Sequence, residues 1–127
     1  MNNKKHAGEL HQEHTTWNNK MAFYKDELRI MNSRLAEIAV KYTSRDVLRL
    51  VEHFQNQFIT QNQNVDTLKH KINEHEAFIQ RDMVLNPVAS DHKLYADSPQ
   101  LRDEIESFEK VFNGLRHEYI QFLAKHM

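Results

Sequence analysis

The chain has 127 residues, 17 of them basic and 18 acidic, for a net charge of −1. That length holds one domain around one core, and so even a balance provides no broad positive field to draw the protein onto nucleic acid or an anionic membrane. The absence of cysteine removes disulfides and thiolate metal sites, while 39% hydrophobic content with only two glycines and two prolines calls for a mainly helical fold.

The opening MNNKKHAGEL carries Lys4 and Lys5 with no apolar run behind them, so a signal peptide is not expected. No stretch reaches the roughly 20 apolar residues of a membrane span, and a cytoplasmic protein is the expectation. From Leu10 a seam begins: Leu10, His14, Trp17, Met21, Tyr24, Leu28, Met31, Leu35, Ile38 and Tyr42 alternate spacings of 4 and 3 without a slip. Such a heptad run predicts a first helix over about 8–42. In the following YTSRD, Thr43 or Ser44 can cap a second helix, with Asp46 placed to complete a capping box with Thr43. A turn this short makes the two helices an antiparallel hairpin.

The second seam runs Val47, Val51, Phe54, Phe58, Gln61, Val65, Leu68, Ile72, His75, Ile79 and predicts a helix over 44–85. Asn86–Pro87 ends it, because a residue before proline is biased away from the helical region. The loop 86–98 offers Val88, Leu94 and Tyr95 for burial. Ser98 as cap and Pro99 at the first helical position start a third helix over 99–126, whose seam is Leu101, Ile105, Phe108, Phe112, Leu115, Tyr119, Phe122 and His126.

The predicted fold is all-α: an elongated, antiparallel, coiled-coil-like three-helix bundle forming a single domain over 1–127. Its heptads resemble those of small bacterial helical-bundle proteins. That resemblance covers the whole chain and implies a fold, but supplies no site residues. Phe23, Ile30, Leu48, Phe78, Val111, Ile120 and Leu123 lie beside the seams. They either widen the stripe each helix buries or serve a homodimer.

Polar residues interrupt the seams at few places. If Tyr42 faces Val47 across the hairpin, partner numbers sum to about 89, and His14 falls beside His75. The loop brings His92 to the same end; His11 and Glu74 neighbour the layer, and the third helix starts there with Asp103 and Glu104. Imidazole suits zinc, copper, iron or nickel. His14, His75, His92, His11 and Glu74 are therefore the candidate metal ligands, zinc being the representative ion. The competing reading is a hydrogen-bonded His14–His75 pair packed on Trp17. Gln61 shares a layer with Leu28 and, if Leu101 sits level with Leu10, also with Tyr119; a Gln61–Tyr119 hydrogen bond would set the register. The same alignment puts His126 beside Leu35 and Phe54, close to His53. Gly114 stands inside a helix, at a cost of about 1 kcal/mol relative to alanine. The runs KDELR, NEHE and RDEIE read as solvated faces.

Catalytic signatures are missing. No histidine has a glutamate three residues before it, as ferritin-like di-iron bundles require. His70 to Glu74 and His92 to Asp97 match fragments of a hemerythrin-like pattern, without its His-x-x-x-His element. There is no phosphate loop, nucleophile elbow, zincin motif or EF-hand loop. The expectation is a non-catalytic bundle acting through protein–protein interaction or self-association. A metal-binding bundle is the alternative, and neither nucleic acid nor a membrane is an expected partner.

Overall fold

The structure, a computed structural model, describes residues 4–87, 94–96 and 98–126. Strand β1 (Lys4–His6) leads into α1 (Ala7–Lys41). Helix α2 (Arg45–Leu85) returns antiparallel to it, strand β2 (Leu94–Ala96) pairs with β1, and α3 (Pro99–His126) closes the bundle. At about 1.5 Å per residue α1 and α2 each exceed 50 Å, a length that persists in water only with a buried seam. Among the described residues no helix is long and apolar enough to cross a membrane.

The heptad seams are what each helix buries. Every predicted seam position is buried apart from Tyr42, His75 and His126, which are half-buried. The hairpin register also follows the expected rule, with Leu10 and Ile79 in one cluster and His14 in hydrogen-bond contact with His75. Of the flanking apolar residues only Leu123 joins the core; Phe23, Ile30, Leu48, Phe78, Val111 and Ile120 are 38–61% exposed. The stripe therefore stays as narrow as in a coiled coil.

Helix ends match the breaker residues, with two differences. Asn86 terminates α2 by donating its N–H to Asp82 O at 2.8 Å, and Arg102 N–H reaches Ser98 O at 3.0 Å where α3 begins. Ser44 is the cap of α2, but its side chain makes no capping hydrogen bond. The capping box anticipated between Thr43 and Asp46 is not formed. With Ser44 as cap, the third helical position is Val47, an apolar seam residue that cannot return a bond.

The second difference is the strand pair, which pins the chain start to the far side of the loop in the register Lys5 opposite Tyr95. Tyr95 is 3% exposed, packs on Leu10 and Ile79, and donates its hydroxyl to Asp82 Oδ2 at 2.6 Å. It thus supplies the burial expected of the loop; Val88 lies outside the described residues.

Helix α3 sits about three residues along from the anticipated alignment. Tyr119 donates to Met31 O at 3.0 Å and meets Phe58 edge to face, one layer away from Gln61. The Gln61–Tyr119 bond is therefore absent, and Gln61, 3% exposed, keeps its Oε1 buried without a partner. His126 rests on Tyr42 and Phe122, and its carbonyl accepts the Tyr42 hydroxyl at 2.6 Å, while His53 lies by Phe54 with Glu118 at 4.0 Å. A buried acceptor without a donor costs about 1–3 kcal/mol. Gln61→Met, close in shape, is expected to raise the unfolding free energy by about 1 kcal/mol in urea titrations; a loss of stability would mean that the amide has a partner.

At Gly114 a Cβ would meet nothing within 4 Å, so no close approach explains the glycine. Gly114→Ala is expected to stabilise the protein by up to about 1 kcal/mol through helix propensity alone. The thermal midpoint checks this, and a fall would show a contact at that position.

Candidate functional site

His14 is the polar residue deepest in the seams, 1% exposed between α1 and α2. A buried imidazole needs both ring nitrogens satisfied, and here both are. Nδ1 lies 2.5 Å from Glu76 Oε2 and Nε2 lies 2.8 Å from His75 Nδ1. The His14 and His75 rings meet edge to face at 76°, and His14 leans on the Trp17 indole with centroids 5.8 Å apart. His11, one turn before His14, has its ring 61% exposed yet brings Nδ1 to within 2.6 Å of Glu76 Oε1.

Glu76 is therefore the hub. Burial disfavours its charged form, but hydrogen bonds from His14, His11 and Gln80 outweigh that and hold the carboxyl down to about 2. It is ionised near neutrality and can only accept, so His14 and His11 each donate an Nδ1–H to it, and Gln80 adds Nε2–H at 2.9 Å. A neutral His14 then has a bare Nε2, which accepts the Nδ1–H of His75. A charged Glu76 and a neutral His14 together assign the hydrogens shared along Glu76–His14–His75.

Neighbouring pairs hold the layer in place. Glu13 accepts Arg102 at 2.6 Å and Lys5 at 2.7 Å, and the Arg102 guanidinium lies over Trp17 at 5.9 Å. The same contact repeats up the α1–α3 groove, with Lys20–Glu109 at 3.5 Å and Glu27–Arg116 at 3.4 Å. His75 also lines an open groove of about 390 Å³ with Lys71, Glu74, Ser98, Gln100, Leu101 and Glu104.

Of the sequence-predicted ligands, His11, His14 and His75 come together. Glu74 instead pairs with His70 at 2.8 Å on the exposed side of α2, which places the hemerythrin-like fragment in a surface ion pair. Glu104 binds Lys71 at 2.8 Å. His92 and Asp97 lie outside the described residues. Glu76 belongs to NEHE, read as a solvated face beside the seam residue His75; its position between 75 and 78, the hairpin partners of His14 and His11, was the available signal. Among the described residues no three histidine, aspartate or glutamate side chains converge where an ion could sit.

Comparison with known proteins adds no relative, since no protein-family model, curated protein or solved structure matches this chain.

Proposed function

We propose that this is a non-catalytic bundle that works by protein contact, and that its contact is with a second copy of itself across the α1–α3 groove. The observation carrying this reading is the apolar strip on that face: Phe23 (53% exposed), Ile30 (50%) and Ile120 (52%). Ile30 and Ile120 flank a groove of about 180 Å³ together with Glu27 and Arg116. Phe23 lies one heptad earlier on α1.

The strip complements itself. About a twofold axis at the level of Glu27 and Arg116, antiparallel copies bring Phe23 of each against Ile30 and Ile120 of the other. Glu27 and Arg116 neutralise each other within each copy at 3.4 Å, so no unpaired charge sits at the axis. An isologous interface requires this kind of self-match, and paired apolar side chains within a polar rim are its ordinary anatomy. The core is filled by the seam residues, and these three side chains stand outside it. A cytoplasmic setting is part of the proposal, in keeping with a cysteine-free composition.

Sedimentation equilibrium from micromolar to millimolar concentration tests the reading. A monomer–dimer equilibrium that the Phe23→Lys, Ile30→Lys double variant abolishes, with helicity unchanged, is expected. A wild-type monomer over the whole range would overturn it, as would a dimer indifferent to both substitutions.

A further inference from the structure

We propose that His14 and His75 form a two-imidazole site for a divalent transition-metal ion, oriented by Glu76. This rests on a different face and different residues from the self-association reading. Metal-ligating histidines as a rule donate the N–H opposite the ligating nitrogen to a carboxylate or carbonyl, which fixes tautomer and ring orientation. Glu76 does this for His14: it takes the Nδ1–H and leaves the Nε2 lone pair aimed across the helix interface. The group found there is another ring nitrogen, Nδ1 of His75, contributed by the other helix.

The two nitrogens stand 2.8 Å apart, a hydrogen-bond distance. A tetrahedral ion with bonds of about 2.0–2.1 Å needs them about 3.3–3.4 Å apart. With His14 held, the ion lies on the axis where His75 Nδ1 now stands, so the half-buried His75 swings aside by roughly 2 Å and shifts its proton from Nδ1 to Nε2. His14 stays where Glu76 holds it. No proton is lost in the exchange of one shared hydrogen for two nitrogen–metal bonds.

His75 opens onto the groove it shares with Lys71, Glu74 and Glu104, a path for an ion from solvent. No third histidine, aspartate or glutamate among the described residues converges on the pair. The imidazole donors favour Cu²⁺, Ni²⁺ and Zn²⁺ over Mg²⁺ or Ca²⁺.

Trp17, the only tryptophan, lies 5.8 Å from His14 and is the reporter. Titration of metal-free protein with Cu²⁺ is expected to quench its fluorescence saturably at one equivalent. EDTA should reverse the quenching, and Zn²⁺ should compete without quenching. His75→Gln is expected to abolish the saturable phase and Glu76→Gln to weaken binding about 10–100-fold, whereas His70→Gln, altered on the exposed face, should leave it unchanged. Quenching that never saturates, or that survives in a folded His75→Gln protein, would overturn the site. Should that variant fail to fold, electron paramagnetic resonance of Cu²⁺ on the wild-type chain decides: two imidazole nitrogens are expected, and one or none would refute the assignment.

Discussion

Truncation of Phe112 to alanine is expected to lower the unfolding free energy by about 3–5 kcal/mol, the range for deleting a buried aromatic ring. Phe112 is fully buried at the middle of α3, where its ring meets Tyr24 at 4.7 Å and Phe108 at 5.8 Å. The cost depends on how far the surroundings collapse into the void, and here they are tethered. Tyr24 is held by its hydroxyl to the Glu109 carboxylate, so its ring cannot swing inward without breaking that bond. Three long helices locked by seams above and below the layer also resist closing locally. The next residue supplies the control: Val111 is 55% exposed, and Val111→Ala is expected to change stability by less than about 0.5 kcal/mol. Urea titrations with matched slopes measure both. A loss below about 1.5 kcal/mol at Phe112 would mean that the centre of the bundle is loosely packed.

Helix identity, helix ends and the α1–α2 register were legible because a period of about 3.5 residues leaves one face to bury and a short turn leaves little freedom in how the hairpin closes. The His14–His75 layer follows from those two constraints. The position of α3 does not, since a loop as long as 86–98 permits several registers. The register found is the one that forms the ladder Glu13–Arg102, Lys20–Glu109, Glu27–Arg116, in which both series recur every seven residues with alternating sign. That pattern stood in the sequence, but only as charges whose partners were unknown until α3 was placed. Ladders of this kind specify alignment more than they add stability. Glu76 escaped notice for a related reason: a carboxylate in a charged run looks solvated until the neighbouring helix is known to place two histidines against it. The strand pair, three residues long on each side, is too short for any period to show.

Glu76 also makes the stability of the fold depend on acid in a specific window. Its carboxyl is lowered from 4.5 to about 2 in the folded protein, with burial opposing the shift and the bonds from His14, His11 and Gln80 overcoming it. A group with a depressed folded value contributes stability that is complete above the unfolded value and lost as pH falls through the folded one. The contribution is therefore full above about pH 4.5 and vanishes towards pH 2. At about 1.36 kcal/mol per unit it amounts to about 3 kcal/mol, for a side chain only 20% exposed. Other carboxylates titrate in the same range, so the wild-type curve alone does not isolate it. The difference between wild type and Glu76→Gln does. The substituted amide turns one acceptor into a donor facing the N–H groups of His14 and His11, so the variant is expected to be less stable by about 2–3 kcal/mol at about pH 6. Protonated Glu76 presents its own O–H to those donors, and the gap should close between pH 4.5 and about 2 in urea titrations. Parallel curves down to about pH 2 would show that the carboxylate is not what organises the histidine layer. A gap closing over that interval assigns the stabilisation to Glu76.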